Sequence, residues 1–154
     1  MTDRYVFLTS FLTAVLIVAA AFALPPFFYF ELAKSTIFVA IAVLVFYGDN
    51  RFSYMLGFVA PLIWYIADLV MGTMVTNFQA FFQYLTPGQH PVLLQTPLHA
   101  LAYLSALGLV IASWRAWHKE VPDKFVGKTL WVAVVVSLIY AVVLSAWYLR
   151  AVHA

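Results

Sequence analysis

The stretch from Phe52 to Met74 reads FSYMLGFVAPLIWYIADLVMGTM, and the rest of the chain is organised around it. It contains one charged residue, Asp68, and as a helix it can cross the ~30 Å of hydrocarbon in a bilayer. An acidic side chain within such a segment costs at least ~2.5 kcal/mol on insertion scales, so it normally faces protein or water. The stretch therefore predicts a transmembrane helix with a polar face around Asp68.

Aromatic residues share this predicted face with Asp68. Trp64 precedes it by four residues and Tyr65 by three, which places all three on or beside one side of a helix. Pro61 predicts a kink one turn earlier, because proline removes one hydrogen bond of the helix. We take Asp68, Trp64 and Tyr65 as candidate ligand-binding residues, and the alternative for both rings is an ordinary place in the core.

Composition places the chain in a membrane. Of its 154 residues, 66% are hydrophobic and 9% are charged, and the mean hydropathy is +0.97. A soluble domain of this size would aggregate with so much apolar surface. The net charge of +2 is small and its cations are scattered, so we expect no nucleic-acid partner. There is no cysteine, which excludes disulfides and thiolate metal sites, and no motif indicates a cofactor or a metal.

Five apolar stretches define the predicted architecture, at about 5–24, 27–48, 52–74, 97–117 and 128–149. The first stretch could be read as a secretory signal, but its apolar run is longer than a usual signal core. Pro25 and Pro26 separate the first two stretches, because neither can donate to a helix ladder. The sequence thus predicts one all-α domain, residues 1–154: a polytopic membrane helix bundle with five transmembrane helices.

The connection from Val75 to Gln95 is the one long uncharged connection between predicted spans. Apolar residues recur in it at i, i+3, i+4 and i+7, as Phe78, Phe81, Phe82 and Leu85, while Asn77 lies off that pattern. This spacing predicts a short amphipathic helix, external to the membrane, whose apolar residues face the bundle or the interface.

Positive charge predicts the orientation. With five spans, one side holds six lysines and arginines and the other holds two, namely Arg4, Arg51, Arg115, Lys119, Lys124 and Lys128 against Lys34 and Arg150. The positive-inside rule then places the N-terminus in the cytoplasm and the C-terminus outside. We expect an integral membrane protein of the bacterial inner (plasma) membrane, with Asp68 in its outer half.

Three further candidates fall in the same outer half. Glu31 and Lys34 lie three residues apart, and either they form an interfacial ion pair with Lys34 directed outward, or Glu31 shares a polar site with Asp68. His99 falls in the first turn of the fourth span, as a neutral structural histidine or as a ligand-binding or proton-transfer group. Tyr103, one turn later, completes the set of candidate ligand-binding residues.

Small residues repeat every four positions on the fifth span, at Ala133, Ser137, Ala141 and Ser145. Such a stripe lets another helix approach closely. We therefore expect this face to support packing, either within a homo-oligomer or against a partner in a larger membrane complex.

Three functions fit these observations. The first is a small membrane protein of the lipid bilayer whose outer-facing polar pocket binds a small or lipid-like ligand, with transport of that ligand as an extension. The second is a non-catalytic subunit of a larger membrane complex, and the third is a membrane-embedded enzyme that uses Asp68 and His99. Asp68 itself is either a functional acid or a structural one that hydrogen-bonds Tyr103, His99 or a backbone carbonyl.

Overall fold

The computed structural model describes residues 2–48, 50–86, 88, 97–121 and 127–153. These residues form six α-helices and contain no strand, which confirms the all-α prediction. The helices are α1 (Thr2–Ala23), α2 (Phe28–Phe46), α3 (Asn50–Val70), α4 (Thr73–Leu85), α5 (Pro97–Glu120) and α6 (Gly127–His153). All except α4 are long and apolar enough to cross a membrane, as the sequence predicted.

Helix α3 is the centre of the bundle, because it contacts all five other helices. Helices α1, α2, α3 and α5 form a ring in which each packs against its neighbours, and α6 lies outside the ring against α3 and α2. Helix α4 packs on α5 and α3. Tyr54, at the start of α3, bonds Glu120 at the end of α5, so these two helices run antiparallel.

Gly57 allows α3 and α5 to approach closely in the middle of the bundle. A Cβ atom added to Gly57 would overlap the hydroxyl oxygen of Ser113 on α5 and would lie 3.4 Å from Leu109 Cδ1. Ser113 and Leu109 are both fully buried. The missing side chain therefore sets the spacing between the two helices that carry most of the candidate site.

Helix α3 ends at Val70 rather than at the predicted Met74. Gly72 adopts a left-handed conformation with φ +75°, which only glycine enters without strain, and the chain then turns into α4. Asp68 consequently lies in the last turn of α3 and not farther inside the predicted span.

The short helix predicted in the connection is present as α4, but its inward face differs from the apolar pattern. Asn77 and Ala80 are its buried residues, whereas Phe82 is 62% and Leu85 is 66% exposed. Phe78 does point into the bundle, where its ring stacks on Tyr103 with the centroids 5.7 Å apart. The remainder of the predicted connection, residues 89–95, lies outside the described residues, as does Lys124.

The small-residue stripe of α6 packs within the chain. Ala133 and Ser137 are buried, and Ala141 and Ser145 line a small cavity between α6, α3 and α2. The other sides of α6 are exposed and apolar: only 11% of its most apolar stretch is buried, against 50% in α2, α3 and α5. The surface that α6 offers to lipid or to a partner is therefore its opposite face.

Candidate functional site

The six candidate residues proposed from the sequence meet at one end of the bundle. This end is formed by the start of α2, the end of α3, the start of α5 and helix α4. The six residues are Glu31 on α2, Trp64, Tyr65 and Asp68 on α3, and His99 and Tyr103 on α5. The antiparallel order of the helices brings these positions together although they are distant in sequence.

Asp68 is held by hydrogen bonds that reach three helices. The hydroxyl of Tyr103 donates to Asp68 Oδ2 at 2.5 Å, and the amide of Asn77 donates to the same hydroxyl at 3.4 Å. Asp68 is 4% exposed, Tyr103 2% and Asn77 8%. Asn77 was not among the predicted site residues, because the apolar pattern of α4 placed it away from the bundle.

Lys34 is the residue that sequence reasoning misread. Its side chain is directed inward, and the residue is 7% exposed. Its Nζ lies 3.6 Å from Asp68 Oδ2 and 3.9 Å from Glu31 Oε1, so one ammonium group stands between two carboxylates. Of the two alternatives drawn from the sequence, the outward-directed Lys34 was wrong, because Asp68 on α3 offers Lys34 a second carboxylate inside the bundle. The other alternative, in which Glu31 and Asp68 share a polar site, is the arrangement found.

Glu31 and His99 form the second branch of the cluster. His99 Nε2 lies 3.1 Å from Glu31 Oε2, and the two residues are 3% and 5% exposed. Lys34 therefore joins two pairs: Asp68 with Tyr103, and Glu31 with His99. Glu31 lies in the first turn of α2, where the helix dipole favours a carboxylate, whereas Asp68 lies near the end of α3, where the dipole disfavours it.

Aromatic rings pack against one side of the cluster. Trp64 stacks on Tyr103 with centroids 4.7 Å apart, and its ring lies 5.1 Å from Lys34 Nζ, within cation–π range. The hydroxyl of Tyr65 donates to the backbone carbonyl of Tyr103 at 2.5 Å. Trp64 and Tyr65 thus fix the position of Tyr103, which in turn positions Asp68.

A cavity of about 670 Å³ lies beside the cluster. Its polar wall consists of side chains from four helices, namely Glu31, Lys34, Asp68, Thr73, Thr76, Asn77 and His99. Its apolar wall includes Leu24, Met71 and three aromatic residues, Phe27, Phe30 and Tyr148. Volume and lining match those of small-molecule sites, in which a few polar groups are set in an apolar surround.

A second and much smaller cavity, of about 30 Å³, lies farther along α3, between α2, α3 and α6. Both cavities are lined by Lys34 and Asp68, together with Phe30 and Met71, so this ion pair belongs to the wall of each. Trp64 and Ser137 also line the small cavity. Within the described residues, Trp64 Nε1 and Ser137 Oγ are buried without a hydrogen-bond partner.

The cluster contains four ionisable side chains beside one cavity. Within residues 2–48, 50–86, 97–121 and 127–153, no three histidine, aspartate or glutamate side chains are grouped as metal ligands. The established features are two carboxylates, one lysine, one histidine and a cavity. No protein-family model, curated protein or solved structure matches this chain.

Proposed function

We propose that the chain is an integral membrane protein that binds a small ligand in the cavity beside Lys34. One observation carries this proposal: four ionisable side chains from three helices, each less than 10% exposed, converge on one cavity of about 670 Å³. The four are Glu31, Lys34, Asp68 and His99.

The energetics of burial support a functional reading of this cluster. Removing two charges from water costs several kcal/mol per ion, and apolar residues of similar volume often stabilise a protein as well or better. Ionisable residues in membrane helices mark substrate or ion sites by default. Because Lys34 and Asp68 belong to helices long enough to span a membrane, their burial is best explained by a ligand.

The orientation completes the proposal. The excess of lysine and arginine at the end opposite the cluster favours a cytoplasmic N-terminus in a bacterial inner membrane, which makes the cavity outward-facing. Aromatic residues at its mouth suit a ligand with an apolar part, including a lipid-like one. Transport is an extension of the same proposal, because Lys34 and Asp68 line both this cavity and the smaller one.

A second candidate function, a subunit of a larger membrane complex, is favoured by helix α6. Its outer face carries large exposed apolar side chains, among them Trp131, Ile139 and Val142, at 70%, 61% and 65% exposure. Such a face suits either lipid or a partner helix. Purification in mild detergent separates the two functions, since a ligand-binding protein remains stable alone and an obligate subunit does not.

Thiol labelling tests the outward-facing cavity. The chain has no cysteine, so Thr76→Cys introduces a single thiol into the cavity wall. A membrane-impermeant methanethiosulfonate should label it in intact cells but not from the cytoplasmic side of inverted vesicles. Ser113→Cys, at a fully buried position, is the control that should stay unlabelled. Labelling of Thr76→Cys only from the cytoplasmic side would reverse the orientation.

Protection experiments then narrow the ligand. A total lipid extract and an extract of small polar metabolites are each added before labelling, and the rate at Thr76→Cys is compared. A lipid-like ligand predicts protection by the first extract, and a soluble metabolite predicts protection by the second. If neither extract slows labelling, while the purified chain is stable only with partner proteins, the subunit function is the better one.

A further inference from the structure

The cluster contains two carboxyl groups and one lysine. Glu31 and Asp68 both face the ammonium group of Lys34. Lys34 Nζ is 3.6 Å and 3.9 Å from the two carboxylates, too far for a direct hydrogen bond. One lysine is therefore shared between two carboxyl groups.

Both carboxyl groups line the cavity. Glu31 and Asp68 are buried at 5% and 4% exposure, and both contribute to the cavity wall. A ligand that brings a positive charge would therefore meet two carboxyl groups across the cavity.

The apolar wall of the cavity is also suited to a cation. The rings of Phe27 and Phe30 both pack on Tyr148, with centroids 6.0 Å and 5.5 Å apart. Lys34 Nζ already lies 5.9 Å from the centroid of Phe30, which shows that positive charge is accommodated beside this wall. Ring faces attract ammonium groups, and quaternary amines in particular.

We propose that the cavity selects ligands that carry one positive charge, namely protonated or quaternary amines attached to an apolar group. This inference rests on the proposed function and names its ligand class. An anionic ligand would meet Glu31 and Asp68 across the cavity, whereas an amine complements both the two carboxyl groups and the aromatic wall.

Charge selectivity is measured with two thiol reagents of similar size and opposite charge. The full-length Thr76→Cys protein in nanodiscs is treated with a methanethiosulfonate that carries a trimethylammonium group and with one that carries a sulfonate. Each rate is divided by the rate for a small free thiol. We expect the normalised rate of the cationic reagent to be about tenfold higher than that of the anionic reagent. This is the effect of one unit charge about 10 Å away at an intermediate dielectric.

Neutralising variants assign the preference to the cluster. Glu31→Gln and Asp68→Asn, each combined with Thr76→Cys, should bring the normalised ratio towards one. Glu120→Gln makes the same chemical change at the opposite end of the bundle and should leave the ratio unaltered. A ratio that persists in both cluster variants would overturn the assignment to the cluster. Equal or inverted rates in the parent protein would overturn cation selectivity but would not contradict the cavity itself.

A matched pair of small molecules provides the second readout. Benzyltrimethylammonium and toluenesulfonate share an aromatic ring and differ in charge, and each is tested for protection of Thr76→Cys against an uncharged thiol reagent. Protection by the ammonium compound alone supports the inference, and protection by the sulfonate alone contradicts it. A Thr76→Cys thiol that no reagent modifies in the folded protein would instead reject the accessible cavity, and the proposed function with it.

Discussion

The two ends of the bundle contain the same local contact in different surroundings. At the site end the hydroxyl of Tyr103 donates to Asp68 at 2.5 Å, and at the opposite end the hydroxyl of Tyr54 donates to Glu120 at 2.6 Å. Both tyrosines are buried, and both join α3 to α5. A tyrosine–carboxylate bond is therefore a way in which this chain fastens α3 to α5, and taken alone it does not indicate function.

The two ends differ in whether their charged side chains are exposed or buried. At the opposite end the described lysines and arginines are exposed, namely Arg4, Arg51, Arg115, Lys119 and Lys128. Glu120, the last residue of α5, is partly exposed, so water can solvate it. At the site end Lys34, Glu31 and Asp68 are buried together beside a cavity. Burial of a complete charge cluster next to open space, rather than the tyrosine bond, distinguishes the candidate site.

The largest expected effect concerns which end faces the cytoplasm. A reporter fused to the C-terminus should be external, and one inserted between α5 and α6 should be cytoplasmic, because six of the eight lysines and arginines lie on the latter side. Paired alkaline phosphatase and fluorescent-protein fusions measure this as an all-or-none difference. The reverse pattern would place the cavity at the cytoplasmic end and would require a cytoplasmic ligand.

Replacing Lys34 with methionine should cause the largest loss of stability. Lys34→Met keeps the apolar stem but leaves Glu31 and Asp68 facing each other without their shared cation. Breaking a buried ion pair in this way costs about 3–5 kcal/mol. The free energy of unfolding in detergent, from denaturant titration, measures the loss.

The matched control is Lys128→Met, at an exposed position of the opposite end, which should change stability by less than about 0.5 kcal/mol. Adding Asp68→Asn to Lys34→Met should restore part of the loss, because only one buried carboxylate then lacks a cation. Equal stabilities of Lys34→Met and Lys128→Met would show that the ion cluster is already neutral or hydrated.

The sequence predicted the helices and most of the site because both depend on local patterns. Apolar runs of sufficient length produced five helices that can span a membrane, and the spacing of Phe78 and Phe81 produced α4. Asp68 was identified because a lone carboxylate in such a run needs a polar neighbour. The antiparallel order of neighbouring spans then placed Glu31 and His99 at the same end.

What the sequence did not show depends on contacts between helices. Lys34 is directed inward because Asp68, on another helix, provides a second carboxylate in addition to the one on α2. Asn77 is buried because it reaches Tyr103, which no periodicity within α4 records. The sequence does contain a signal for the early end of α3, because glycine commonly ends helices and Gly72 stands there. The surrounding apolar residues nevertheless favoured the prediction of a longer span.

Removal of each tyrosine hydroxyl should destabilise the two ends to different extents, and both losses should be smaller than that expected for Lys34→Met. Tyr103→Phe leaves a buried Asp68 oxygen without its donor and should cost about 1–3 kcal/mol. Tyr54→Phe exposes Glu120 to water, which replaces the lost bond, and should cost about 0.5–1.5 kcal/mol. Tyr103→Phe should also alter the labelling rate of Thr76→Cys, whereas Tyr54→Phe should not. Equal effects on labelling would mean that Tyr103 only fastens the helices.

The smallest expected effect lies between the two ends, in the small cavity beyond Lys34. Ser137 Oγ is buried there and has no hydrogen-bond partner among the described residues, so Ser137→Ala removes an unsatisfied group and should not lower the free energy of unfolding. Ser137→Leu should instead cost about 1–3 kcal/mol by overpacking against α3.

The matched control is Thr13→Val on α1, whose hydroxyl oxygen lies 2.7 Å from Thr9 O and 2.9 Å from Ser105 Oγ and donates its one proton to one of them. This variant should cost about 0.5–1.5 kcal/mol. Denaturant titration in detergent compares the three variants with the parent. If Ser137→Ala costs as much as Thr13→Val, then Ser137 has a partner, and a water molecule in the small cavity is the group that fits its volume of about 30 Å³. Polar contacts would then continue past the Lys34–Asp68 pair into the middle of the bundle, as a transport path requires, rather than stopping at the outer cavity.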